Sequence, residues 1–71
     1  MGTAWTLEGD ASVAVVGSLR LRAWPEEEGY SFEVRRRDET LIYAVGCRDC
    51  EEATLAAAMW ALGYYRRSGA E

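Results

Sequence analysis

Cys47-Arg48-Asp49-Cys50 is the one spacing in this chain that suggests covalent chemistry. A C-x-x-C at a helix N-terminus can lower a thiol pKa, as it does in disulfide oxidoreductases. In those proteins the motif opens the helix of a βαβ unit, and nothing here supplies a second helix or a parallel sheet. A zinc site would need four ligands, and there is no His and no further Cys. The two cysteines are therefore expected to be ordinary, half-buried thiols, with no metal and no cofactor. Glu26, Glu27 and Glu28 approach Glu51 and Glu52 in the topology derived below. Paired-carboxylate catalysis also needs a concave pocket, for which a chain of 71 residues has little room. Ser12, Ser18, Ser31 and Ser68 have no histidine to activate them, and without Lys the Schiff-base route is closed as well. The expectation is a non-enzyme without catalytic residues.

Composition limits the remaining classes. The net charge of −4 and a pI near 4.7 argue against a general grip on nucleic acid or anionic membrane, which takes a basic surface. With 49% hydrophobic residues the chain should fold as a single domain spanning residues 1–71, with a thin core. The N-terminus lacks the pattern of a signal peptide. The longest apolar run, Ala53 to Tyr65, falls short of the roughly 20 residues that span a bilayer. A cytoplasmic location is expected.

The element that positions most of these residues is a helix from Asp49 to about Arg67. Asp49 is its natural N-cap, Glu52 three residues on makes a capping-box pair, and Glu51 and Glu52 suit the positive end of the dipole. Arg66 and Arg67 sit in the last turn and Gly69 follows as a stop. At about 100° per residue, Leu55, Ala58, Met59, Leu62 and Tyr65 share one side, a stripe sufficient to cover a sheet. The opposite side carries Ala53, Ala57, Ala61, Trp60 and Tyr64. A helix apolar all round is normally buried all round. The second stripe, a shallow groove of Ala53, Ala57 and Ala61 flanked by two aromatics, is expected to meet a partner or a second copy of the chain. On that reading Ala57→Arg breaks a dimer or complex and leaves the fold intact. The sequence does not fix which stripe faces the sheet.

Ahead of the helix, Thr3 to Glu8 reads as a strand, followed by a turn at Gly9-Asp10. Val13 to Trp24 reads as one long strand with a bulge or sharp bend at Gly17. Tyr30 to Arg36 alternates cleanly after the Pro25–Gly29 loop, and Leu41 to Cys47 follows a turn at Arg37-Asp38-Glu39. In this last strand Leu41, Tyr43 and Val45 compete with Ile42 and Ala44 for the inside. Short connections favour an antiparallel meander. The expected fold is α+β: a four-stranded antiparallel meander with one C-terminal helix packed on one face, a β-β-β-β-α two-layer sandwich.

Successive turns of a meander alternate between the two ends of the sheet. One end then collects Glu26, Glu27, Glu28, Asp49, Glu51 and Glu52 against Arg48. The other end collects Asp10, Asp38 and Glu39 with Arg36, Arg37, Arg66 and Arg67. The acidic pole is suited to a protein partner with a basic surface, where complementary potentials speed association and set specificity. Trp60 and Tyr64 are the candidate apolar anchors of that contact. An alternative lies on the strands, where Arg20, Arg22, Trp24 and Arg35 share a face with Glu33 and Tyr43; arginines interleaved with aromatics bind single-stranded nucleic acid by stacking and phosphate contacts. A homodimeric structural module without a separate ligand is the third option.

The stretch Gly29-Tyr30-Ser31-Phe32-Glu33-Val34 resembles the second strand of the HicB-type antitoxin domain. Asp49-Cys50-Glu51-Glu52-Ala53, followed by Ala57 and Ala61, is similar to that family's helix start. The resemblance spans residues 29–67. The chain lacks the family's Pro/Gly turn between its second and third strands, carries an additional N-terminal strand, and has no DNA-binding segment after the helix. What the resemblance implies is a small protein that neutralises a nucleic-acid enzyme by covering it. In type, a small acidic domain without catalytic residues is also similar to phage-encoded anti-CRISPR inhibitors. Both likenesses imply occupation of a partner's basic site.

Overall fold

The computed structural model describes residues 4–68. Five strands precede one helix: β1 (Thr6–Glu8), β2 (Ala11–Val16), β3 (Leu19–Glu26), β4 (Gly29–Arg36), β5 (Glu39–Cys47) and α1 (Cys50–Ser68). They form one antiparallel sheet in the order β1-β2-β3-β4-β5, with the helix across one face. The α+β meander and its C-terminal helix are as expected, but the sheet has five strands rather than four.

The extra strand comes from Gly17. The expected long strand Val13–Trp24 folds back on itself at Gly17-Ser18, and Val16 pairs with Leu19. Gly17 has φ of +61° while Ser18 stays at negative φ, the pattern of a type II′ turn, whose twist matches that of the flanking strands. One glycine thus makes a complete hairpin where a bend was expected. The first strand is also shorter than expected, at Thr6–Glu8; Thr3 lies outside the described residues.

Strand alternation divides the two faces. Ala14, Leu19, Leu21, Ala23, Phe32 and Val34 are buried on the helix side. Register places Ile42 opposite Val34 and Ala44 opposite Phe32, so these two β5 residues face inward while Tyr43 and Val45 stay exposed. Shifts between Val34 and Arg35 and between Tyr30 and Phe32 bulge β5, which is why a simple count along Leu41–Val45 is ambiguous.

The helix meets the sheet through Ala53, Ala57 and Ala61, all 0% exposed. This corrects the expectation that these residues form a groove open to a partner or a second copy. Residues without side-chain bulk let the helix backbone approach the Leu21, Phe32 and Val34 layer closely, and larger side chains in those positions would hold it away. Ala57→Arg would therefore put a charge into the core instead of breaking an interface. Of the stripe expected to cover the sheet, Leu55, Met59 and Leu62 point to solvent. Trp60, Tyr64 and Tyr65 pack along the edge of the core, half-buried.

Candidate functional site

The hairpin at Gly17 reassigns the ends of the sheet. The turns at Gly9-Asp10 and Glu27-Glu28 share one end with the start of α1. The turns at Gly17-Ser18 and Arg37-Asp38 share the other end with its last turn. Two long-range contacts mark these ends: Ser12 Oγ lies 3.8 Å from Cys50 Sγ, and Ser18 N–H donates to the Tyr65 hydroxyl at 2.7 Å. Asp10, expected among the arginines, belongs to the acidic end, and Glu8 beside it adds another carboxylate. The acidic end thus carries Glu8, Asp10, Glu26, Glu27, Glu28, Asp49, Glu51 and Glu52 against Arg48. The basic end has Arg35, Arg36, Arg37, Arg66 and Arg67 against Asp38 and Glu39, with Arg20 close to its Gly17-Ser18 turn.

The helix start is built as its sequence implies. Asp49 Oδ1 accepts from Glu52 N–H at 2.9 Å, and the Asp49 carbonyl accepts the first helical bond from Ala53 at 3.1 Å. The Glu52 carboxylate reaches back to Arg48 N–H at 2.7 Å, one residue beyond the usual capping box, and lies 3.8 Å from the Arg48 guanidinium. Glu28, Gly46, Cys47, Arg48 and Glu52 line one shallow depression. A second one runs from Glu26, Glu27 and Glu28 to Tyr43, Val45 and Gly46. The acidic turn and the helix start are therefore continuous along the surface.

The three turn glutamates are not equivalent. Glu26 Oε2 accepts from Trp24 Nε1–H at 2.6 Å and from the buried Ser31 hydroxyl at 3.2 Å. Two donors fix its carboxylate against the sheet. Glu27 and Glu28 have no such tie among the described residues. The sequence gives no sign of this division, because Pro25 and Glu26 read as loop, whereas β3 continues through Glu26 and pleats it to the same face as Trp24.

Cys47 and Cys50 are free and half-buried. Burial pushes the Cys47 thiol above its ordinary pKa, and the charges of Glu52 and Asp49 push it in the same direction. A nucleophilic thiol requires the opposite shift. No cluster of three or more His, Cys, Asp or Glu suited to a metal ion occurs among the described residues.

On the face away from the helix, Arg20 pairs with Arg35, Arg22 with Glu33 and Glu33 with Tyr43, so the expected Arg/Trp face does come together. Arg20, Arg22, Glu33, Arg35, Arg37 and Asp38 border a concavity of ≈ 390 Å³. Trp24 stacks on Tyr43 with centroids 5.9 Å apart, and the Arg22 guanidinium sits 4.9 Å from the indole centroid. On the helix, Trp60 stacks on Tyr64 at 5.7 Å and Arg67 approaches Trp60 at 5.8 Å. Among the described residues Arg48 is the one arginine in an ion pair.

No family model matches the chain, and comparison with curated proteins and with solved structures gives no match. Nothing in these comparisons bears on the HicB-type likeness, which rests on the residues quoted for it, or on the anti-CRISPR likeness, which is one of type alone. No helix among the described residues is long and apolar enough to cross a membrane.

Proposed function

We propose that the chain is a non-catalytic protein-binding inhibitor that neutralises a nucleic-acid-handling partner by covering its basic surface with the acidic end of the molecule. The observation that supports this reading is the depression shared by Glu28 of the β3–β4 turn and Glu52 of α1. Two segments remote in sequence thereby contribute to one field, the arrangement that steers a positively charged partner and fixes its register. Glu27, Glu28 and Glu51 supply the free carboxylates, while Glu26, Asp49 and Glu52 are held in place by their own hydrogen bonds. Trp60 and Tyr64, the apolar anchors expected from the sequence, are half-buried in the C-terminal half of α1 with Arg67 over the Trp60 ring, away from these carboxylates, and are not part of this contact.

The test is capture from nuclease-treated cell lysate, with the wild type compared against a Glu27→Ala/Glu28→Ala/Glu51→Ala variant. A discrete protein retained by the wild type, released by salt and lost with the variant, is the expected result. Equal retention by both would remove the acidic end from the mechanism.

A second reading has its own support in the cluster of Arg20, Arg22, Arg35 and Trp24 on the open sheet face, which suits a single-stranded nucleic acid. It ranks lower because the indole is already engaged by Tyr43 and Arg22, so a stacking base would have to displace one of them. Salt-sensitive oligonucleotide binding that disappears in Trp24→Ala would promote this reading over the first.

A further inference from the structure

With Ala53, Ala57 and Ala61 committed to the sheet, the outward side of α1 is defined by its most exposed apolar residues. Leu55 is 59% exposed, Met59 62% and Leu62 61%. Glu52 precedes them and Arg66 follows them on the same side, so the stripe runs Glu52, Leu55, Met59, Leu62, Arg66. Its spacings alternate between three and four residues, the repeat that lets two helices pack along a seam. The order of the stripe carries further information. Glu52 and Arg66 each lie one heptad from Met59, in opposite directions, and Leu55 and Leu62 fill the places between. Acid, apolar, base is an order that complements itself when reversed.

We infer that this face of α1 is a homodimer interface, occupied by the same face of a second copy of the chain running antiparallel across a two-fold axis at Met59. About that axis Met59 meets the partner's Met59 and Glu52 meets the partner's Arg66, while Leu55, four residues before the axis, falls opposite the partner's Gly63 with the partner's Leu62 one residue away. A two-fold contact requires such a self-complementary patch. A parallel pairing would put the glutamates together and the arginines together, so the charges select the antiparallel one. Arg66 is in no ion pair within its own chain among the described residues, and the Glu52 carboxylate opposite, which holds Arg48 through Oε1, keeps its Oε2 for that guanidinium. Ala56 and Ala58 flank the seam and add little bulk, so two helices can approach at the roughly 8–10 Å of ordinary helix packing. A single helix pair buries less than the roughly 1,200 Å² of a standard complex, so the dimer is reversible and depends on concentration. It also leaves the free carboxylates of Glu27 and Glu28 outside the seam and turns the two acidic ends away from each other. Glu52 belongs both to this seam and to the acidic depression, so the seam and the acidic end share that one carboxylate.

Sedimentation velocity of the full chain from about 10 μM to about 1 mM tests it. The expected result is a mass that rises with concentration from 7.9 kDa toward twice that value. Met59→Glu, which places two carboxylates at the axis, should hold the chain monomeric throughout. Val45→Glu, on the opposite face of the sheet and 65% exposed, should leave association unchanged. Arg66→Glu should weaken association by about tenfold or more, and less so in high salt. Circular dichroism of each variant separates loss of pairing from loss of fold. For the orientation, Leu55→Cys and Leu62→Cys chains are mixed and oxidised, and cross-linked peptides are identified by mass spectrometry. Links from 55 to 62 support the antiparallel seam, whereas links from 55 to 55 and 62 to 62 overturn it. A 7.9 kDa species at every concentration, or a dimer indifferent to Met59→Glu, would overturn the interface itself.

Discussion

The Tyr65 hydroxyl accepts a 2.7 Å hydrogen bond from the amide of Ser18, 47 residues earlier, and donates one of 3.2 Å to the Val16 carbonyl. The last turn of the helix thereby closes over the hairpin turn that divides β2 from β3. Gly17 lies directly beneath the ring, and a Cβ there would collide with the Tyr65 hydroxyl. Its φ of +61° is also one that L side chains resist. Gly17→Ala should destabilise the fold by about 2 kcal/mol or more, since backbone strain and the clash both act. Tyr65→Phe, which removes the hydrogen bonds and keeps the ring, should cost about 1 kcal/mol. Urea denaturation of both variants checks the order.

Ala57 has no space for a larger side chain. It is fully buried between α1 and the sheet, so Ala57→Leu should push the helix outward and cost about 1–3 kcal/mol by overpacking. Met59→Leu, on the opposite side of the helix and 62% exposed in the single chain, should change the stability of the dilute monomer by less than about 0.5 kcal/mol. Thermal melts of the two variants separate the covered side of the helix from the open one.

Asp49 is the N-cap side chain of α1, and Glu52 reaches back to the Arg48 amide beside it. Asp49→Ala removes the 2.9 Å acceptor for Glu52 N–H and should cost about 1 kcal/mol, whereas Asp49→Ser should largely retain the cap. Denaturant midpoints measured at low and moderate salt distinguish the hydrogen bond from the screened dipole contribution.

The Cys47 thiol should be a slow nucleophile at neutral pH. Its pKa is raised by burial and then by Glu52 and Asp49, so its alkylation rate by iodoacetamide should begin to rise only above the pH at which an ordinary thiol ionises. Glu52→Gln should bring that rise to lower pH by removing one of the charges. The folded state prefers the protonated thiol, so above the unfolded-state pKa the unfolded chain holds fewer protons than the native one, and stability falls as pH climbs through the raised value. Below the unfolded-state pKa this contribution is flat.

Much of the fold is legible in the residues themselves. Asp49 with Glu52 marks the helix start, the alternation in Tyr30–Arg36 marks β4, and the short connections between strands impose a meander. Gly17 is harder to interpret, because a lone glycine inside an apolar run is compatible with a bulge, a bend or a two-residue turn, and only the pairing of Val16 with Leu19 decides among them. The helix faces mislead for a physical reason: hydrophobicity ranks Leu55, Met59 and Leu62 above three alanines, but close approach to a flat sheet favours the smaller side chains. The acidic end is visible in sequence once the turns are counted, although Asp10 changes ends with the added hairpin. The fixing of Glu26 by Trp24 and Ser31 is not visible, since it rests on side chains meeting across two paired strands.

The order of the strands across the sheet is the order in which the chain supplies them. Each hairpin can close on its neighbour without waiting for a distant segment, which keeps loop-closure entropy low and favours rapid formation of the sheet. The helix is different: it comes last, and it must return across the sheet to bring Tyr65 to Ser18. Until it docks, the Leu21, Phe32 and Val34 layer stands open to water. A nascent chain whose α1 has not yet emerged would therefore expose its entire core face, and the docking of that helix is the step that makes the sheet safe from aggregation.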